Sequence, residues 1–354
     1  MSKFLSDKYK NLTPYVPGEQ PKEREYVKLN TNESPYPPSK KAVEGAEREA
    51  KLLMLYSDPD QRKLTHAIAS ELGVKDEQVV VTNGSDEVLN FAFMAYSDEK
   101  TPAVFPDISY GFYKVFAEIN GVPYREIPLK EDFTIDVGEY ERAEGTVFIA
   151  NPNAPTGICL TLDQIERIVK SNPERVVVID EAYVDFGGES AIKLIDKYQN
   201  LIVTQTFSKS RSMAGARLGF GVASAQIIND LNRIRYSTNP YNVNRMTAAA
   251  GIGAIEDKEY FLNNCGEIIK SREWTKKELS RLKFTYTDSK ANFVFTKSQL
   301  IGGEELYVKL KQKGVLVRHF NKDRIKDYVR ITVGSPEQMK VLIECIEQIL
   351  EELK

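Results

Sequence analysis

From residue 79 onward the chain alternates short apolar runs with helical patterns, and this alternation restricts the fold more than any other feature. The runs are Val79–Thr82, Val104–Phe105, Val147–Ala150, Val176–Asp180, Leu201–Thr206 and Leu218–Val222. They are apolar at consecutive positions, which suits strands covered on both faces, as in a parallel sheet. Between them, Thr161-Leu162-Asp163-Gln164 has the residues of a capping box. Leu162, Ile165, Ile168 and Val169 fall on one face of the helix that it opens. Strand–helix alternation of this kind predicts an α/β fold, a three-layer domain around a mostly parallel sheet.

The two ends read differently. Residues 1–30 are polar and carry Pro14, Pro17, Gly18 and Pro21, so they predict an arm. Beyond residue 255 a long charged helix is expected, followed by strands at Phe293–Phe295, Val315–Arg318 and Tyr328–Val333, with a helix between the first two. Ser335 as N-cap, Pro336 at N1 and Gln338 at N3 open the last helix. A chain of 354 residues exceeds one ordinary core. The expected division is an N-terminal arm (1–30), a large domain (31–255) and a small α+β C-terminal domain (256–354).

Composition excludes several function classes. The net charge is −3 and no Lys/Arg block stands out, so neither nucleic acid nor a membrane surface is an expected partner. Cys159, Cys265 and Cys345 are far apart and show no metal-ligand spacing, so no metal is expected. So few cysteines in a chain of this size fit a reducing cytoplasm. The opening residues have no secretory apolar region, and no apolar run reaches the ~18 residues of a membrane span. With only His66 and His319 available, a histidine-based triad is not expected.

Polar clusters follow the apolar runs, at the strand ends where open parallel sheets bind ligands. They are Asn83–Glu87, Asp107–Tyr110, Asn151–Gly157, Asp180–Tyr183, and Ser208-Lys209 with Arg217 eight residues on. Singly, each has an ordinary explanation: a helix-capping aspartate, a solvated loop lysine, a surface ion pair. Tyr110 and Tyr183 are two of 18 tyrosines, most of which should merely pack. Jointly they supply what pyridoxal phosphate requires. Lys209 would form an imine, and Asp180 at the end of an apolar strand would pair with the pyridine nitrogen. Arg217 and the helix opening at Asn83–Asp86 would hold the phosphate.

The ordered set resembles the fold-type I pyridoxal-phosphate enzymes, and within them the histidinol-phosphate aminotransferases. The resemblance spans nearly the whole chain. It runs from Asn11–Tyr15 and Leu29–Glu33 through Tyr56–Pro59, Asn83–Glu87, Asn151–Gly157, Asp180–Tyr183 and Thr206–Lys209 to Tyr328–Gly334. It implies that Lys209 also moves the substrate proton, that Tyr183 bonds the ring hydroxyl and that Tyr110 stacks on the ring. It gives Ser85, Asp86, Thr206, Ser208 and Arg217 to the phosphate, with Tyr56 arriving from a neighbouring subunit of an obligatory homodimer. Arg330, helped by Arg318, Tyr15 and Asn32, would hold the anionic end of the substrate. Two departures stand out. Ala154 occupies the place of a usual asparagine, so Asn153 or Tyr183 alone would meet the ring hydroxyl. Ser57 stands where proline is common. The implied reaction is transamination between L-histidinol phosphate and 2-oxoglutarate. The alternatives are an aromatic amino-acid aminotransferase, a decarboxylase of a phosphorylated amino acid and, least supported, a catalytically silent binding protein.

Overall fold

The structure, a computed structural model, describes residues 2–10 and 12–354. Asn11, which opens the first motif of the resemblance, lies outside the described residues. In chain order the strands are β1 (Val27–Lys28), β2 (Val79–Thr82), β3 (Ala103–Pro106), β4 (Tyr124–Ile127), β5 (Thr146–Ala150), β6 (Val177–Asp180) and β7 (Leu201–Thr206). They continue with β8 (Gly219–Ala223), β9 (Phe284–Tyr286), β10 (Phe293–Ser298), β11 (Val315–Leu316), β12 (Arg318–His319) and β13 (Tyr328–Thr332).

Seven of them form the central sheet in the order β2-β8-β7-β6-β5-β3-β4. β3, β4, β5, β6 and β7 pair in parallel, and β8 runs antiparallel to both β7 and β2. β2, β3, β5, β6 and β8 are buried at every position. That follows from helices on both faces. Ser85–Tyr96, Phe112–Asn120 and Ala225–Thr238 cover one, and Arg62–Leu72, Leu162–Ser171 and Arg245–Glu256 cover the other. The fold is α/β with three layers, and its sheet is mostly parallel.

Local signals act where the sequence places them. Thr161 accepts from the Gln164 N–H and Gln164 answers on the Thr161 N–H, opening Leu162–Ser171. Ser335 and Gln338 do the same for Pro336–Glu352, with Pro336 at N1.

Four features depart from the sequence reading. β4 and β9 are additional strands, each at the edge of its sheet. β4 exposes two of its four residues, so it lacks the continuous apolar run of the inner strands. The run expected as one strand over Val315–Arg318 is divided. β11 pairs with β1, while β12 joins the antiparallel sheet β12-β13-β10-β9. The arm expected over 1–30 also gives up its last residues, because β1 pairs with β11 and Leu29 is buried in the core of the C-terminal region. β8, read as one more strand of a parallel sheet, runs the opposite way. It follows β7 through residues 207–218, which hold only the short helical turn Ala214–Ala216 and no helix of the kind through which parallel strands usually cross over.

Candidate active site

Asp180 is the last residue of β6, level with Ala150 of β5 and Thr204 of β7. Its side chain is only 4% exposed. The Tyr113 hydroxyl donates to Oδ2 at 3.1 Å and the Ala182 N–H donates to Oδ1 at 3.3 Å. Among the described residues no cation forms an ion pair with it. Burial pushes its pKa up to about 7. The Tyr113 hydrogen bond opposes that shift, and the charge of Asp86 adds to it. Ionising this carboxyl at the sheet floor therefore carries a cost that two hydrogen bonds only partly offset.

The reversal at β8 brings Lys209, just after β7, and Arg217, just before β8, to the same end of the sheet. Lys209 Nζ lies 3.5 Å from the Thr31 carbonyl and 5.8 Å from the Tyr183 ring centroid. Burial lowers its pKa to about 8, and the charge of Arg330 is the next cause. Roughly a tenth of this amine is therefore uncharged at neutral pH, far more than for an ordinary lysine near 10.4.

Next to it lies a cradle of donors. Ser208 N–H donates to Thr206 Oγ1 at 3.1 Å, and Arg217 Nη1 approaches Ser208 Oγ at 3.4 Å. Ser85 opens the helix Ser85–Tyr96 behind Gly84, which provides no side-chain cap. Gly84 has φ +77°, and a Cβ there would come within 2.7 Å of Arg217 Nη2. A Cβ at Gly219 would stand 2.3 Å from the Ser85 nitrogen. Both glycines thereby let the guanidinium and the free helix N–H groups converge, an arrangement suited to an anion. Asp86 contributes a carboxylate here. It accepts from Arg217 Nη2 at 3.2 Å and from the Tyr110 hydroxyl at 2.8 Å.

Asp180, Lys209, Arg217, Ser85 and Asp86 line one cavity of about 90 Å³, together with Tyr110, Tyr183, Thr206, Ser208 and three alanines. Nine of the residues singled out in the sequence thus meet in one space.

The others lie around it. Asn32 Nδ2 donates to the Tyr183 hydroxyl at 2.9 Å and is held in turn by Thr332. Arg330, on β13, donates to the Asn30 carbonyl at 3.0 Å and lies between the rings of Phe293 and Phe320. Its Nε–H is buried without a partner. Arg318 donates to the carbonyls of Val16 and Pro17 instead of facing the cavity. Tyr15, 39% exposed, packs on Phe112 with ring centroids 4.3 Å apart. Tyr56 is 77% exposed and stacks on Tyr241, away from this chain's cavity.

Asn153 requires a correction. Its amide is consumed in tying its own turn to the loop after β3, accepting from Ser109 and donating to the Ile108 carbonyl and Thr156 Oγ1. The cavity wall is Ala154, which clusters with Phe293, Ala291 and Tyr183. Asn153 therefore has no free group for a ring hydroxyl. The sequence reading also missed Tyr113. It is fully buried and differs from a packing tyrosine only through its partner, which no local pattern reveals.

Residues 24–346 match the sequence profile of the family described as aminotransferase class I and II. The chain belongs to this family of aminotransferases. Within it, the chain is 48% identical to the histidinol-phosphate aminotransferase of Brachyspira hyodysenteriae, over 99% of this chain and all of that protein. It is 46% identical to a Clostridium botulinum protein of the same name, over the full length of both. Among solved structures, the histidinol-phosphate aminotransferase of Clostridium acetobutylicum superposes with a TM-score of 0.84 at 23% identity, covering 92% of this chain and 99% of that one. That of Sinorhizobium meliloti, in complex with pyridoxal-5'-phosphate, gives 0.85 at 21%, covering 94% and 93%. At these identities the two structures speak for the fold.

Proposed function

We propose that the chain transfers the amino group of L-histidinol phosphate to 2-oxoglutarate, a step of histidine biosynthesis, with pyridoxal phosphate as cofactor. The observation that carries this reading is the buried Asp180 carboxylate without a cation, in one cavity with an amine of lowered pKa and a guanidinium-lined cradle. The residues fit the cofactor. A protonated ring nitrogen would supply the cation that Asp180 lacks, and a phosphate fits the space that a Cβ at Gly84 or Gly219 would fill. The substrate follows from the relatives 45–48% identical over the full chain, which carry the histidinol-phosphate name.

When bound, pyridoxal phosphate supplies the electron sink that lets a bond at the amino-bearing carbon break. Lys209 Nζ holds the cofactor covalently and accepts the proton from that substrate carbon, a task suited to a base near pKa 8. Asp180 keeps the ring nitrogen protonated, and Tyr113 keeps Asp180 ionised. Tyr110 covers the ring, while Tyr183, fixed by Asn32, orients its hydroxyl. Ser85, Thr206, Ser208 and Arg217 hold the phosphate, together with the Asp86 N–H. Arg330, with its unpartnered Nε–H, holds the anionic tail of the substrate. Arg318 ties down the arm that carries Tyr15.

The working unit in this reading is a homodimer. Leu53, Met54, Leu55 and Tyr56 form an exposed apolar stretch, which a second copy would cover while receiving Tyr56 at its own phosphate. Residues 31–255 act as the cofactor-binding domain and 256–354 as the small domain, which β1 and Leu29 at the end of the arm (1–30) join. Its three free cysteines suit the cytoplasm. Among the described residues no helix is long and apolar enough to cross a membrane.

A donor screen tests the reading. The holoenzyme is mixed with histidinol phosphate, histidine, phenylalanine, tyrosine or threonine phosphate, and the cofactor absorbance is followed through its change to the amine form. Histidinol phosphate should convert it at the lowest concentration. Preference for phenylalanine or tyrosine would assign the chain to aromatic amino acids, and CO₂ release from threonine phosphate would make it a lyase.

A further inference from the structure

A second cavity of about 490 Å³ shares Thr206 with the first. Its wall is largely apolar, with Ile68 and Leu72 on one side and Phe207, Ile255 and Phe261 on others. Four charged side chains reach it. Glu71 pairs with Lys258 at 3.1 Å and Lys193 with Glu189 at 2.7 Å. Asp185 and Arg211 are different. Among the described residues neither has an ion-pair partner, and no ion pair joins them to each other.

Each makes its hydrogen bond to a neutral group, and their two charges feel each other across the cleft. Asp185 accepts from the Ser210 hydroxyl, and Arg211 Nη1 donates to the Ala254 carbonyl at 3.0 Å. The Arg211 guanidinium lies 4.2 Å from the Phe261 ring centroid. Surrounding protein raises the Asp185 pKa, although its side chain still reaches solvent, and lowers that of Arg211, while the charge of each opposes the shift of the other. Two opposite charges that open into one cleft without closing into an ion pair mark a binding site better than either charge alone. A ligand with one charge would satisfy one of them and strand the other. A small molecule carrying an ammonium and a carboxylate on one carbon satisfies both, and the apolar wall remains for its side chain.

We propose that this cavity binds a free α-amino acid with an apolar or aromatic side chain, its ammonium on Asp185 and its carboxylate on Arg211. The side chain lies along the Phe261 wall. Ser210, the donor to Asp185, follows Lys209 in the chain and precedes Arg211, so the cavity is built on the loop that carries the front site. The inference stands without the reading of that front site.

Calorimetric titration of the holoenzyme with L-phenylalanine and L-leucine tests it, with 2-phenylethylamine and 3-phenylpropionate as single-charge controls. The same titrations are run on Asp185→Asn, Arg211→Gln and, because amino acids could enter the front cavity, Arg330→Ala. Asp185→Asn has the same shape and keeps an acceptor for Ser210, and Arg211→Gln perturbs the other charge independently. An amino acid should bind at about 1 mM or tighter, at least about tenfold more weakly in each rear-cavity variant, and unchanged in Arg330→Ala. The single-charge controls should bind at least about tenfold more weakly than the amino acid. Absence of binding by both amino acids would overturn the proposal. So would binding that survives Asp185→Asn and Arg211→Gln but vanishes in Arg330→Ala, or controls that bind as well as the amino acids.

Discussion

The sheet end of the front cavity and its outer side are built differently. At the sheet end, Asp180, Lys209 and Arg217 come from strands and a short loop of a single chain, and their partners Tyr113, Thr206 and Ser208 are buried. On the outer side, Tyr15 and Tyr56 are exposed and Arg318 is occupied with the arm. The contrast separates two tasks. Asp180 and Lys209, whose proton affinity must be set, stand among buried partners with Arg330 of β13 close by, whereas Tyr15 and Tyr56 stand on exposed edges.

Four perturbations can break or sharpen that division, in falling order of effect. Lys209→Ala should lower turnover by roughly 10³-fold or more while weak cofactor binding persists, since both the covalent link and the base are gone. Steady-state rates and cofactor absorbance check this, and near-normal turnover would remove Lys209 from the chemistry. Arg330→Ala should raise KM for histidinol phosphate by roughly 10- to 100-fold, with a smaller change in kcat. It should also act on the sheet end, because the Arg330 charge helps lower the Lys209 pKa. In cofactor-free protein the uncharged amine is the reactive form. The rate of cofactor attachment should therefore rise with pH through about 8 and then level off. Arg330→Ala should move that midpoint upward, and an unmoved midpoint would break the link between the two sides.

Tyr113→Phe tests the sheet end alone. It removes one donor to Asp180 and should raise the Asp180 pKa further above about 7. Cofactor affinity should then fall about tenfold at neutral pH, as measured by titrating cofactor-free protein. Asp180 becomes more ionised as pH rises, so the loss should shrink in alkaline buffer. Tyr56→Phe tests the outer side and should have the smallest effect, weakening cofactor affinity several-fold. Activity of the unaltered protein should fall on dilution if Tyr56 is donated by a second copy. Concentration-independent activity down to the monomer would contradict that.

The inner strands were legible because a strand covered on both faces is apolar at consecutive residues, as in Val177–Val178–Ile179. Edge strands such as Tyr124–Ile127 were not, because water on one side removes that run. The caps at Thr161 and Ser335 were legible because their signal lies within four residues. Val27–Leu29 looked like the end of an arm, since a strand of two residues shows no alternation and its partner lies some 290 residues on. In the site, the residues that follow strands could be read from the order of runs alone. That Lys209 and Arg217 share one end depends on the direction of β8, which the sequence does not encode locally. Asn153 and Tyr113 show the limit from both sides. An asparagine in a motif is spent on its own turn and on the Ile108 carbonyl, and a tyrosine without a motif holds the central carboxylate.

The central claim is that one amine, set at the sheet end by burial, holds the cofactor. Borohydride reduction of the protein loaded with pyridoxal phosphate, followed by peptide mass mapping, tests it most directly. The account predicts one stoichiometric label, on Lys209, that prevents further turnover. A label on another lysine, or turnover that survives labelling of Lys209, would contradict it.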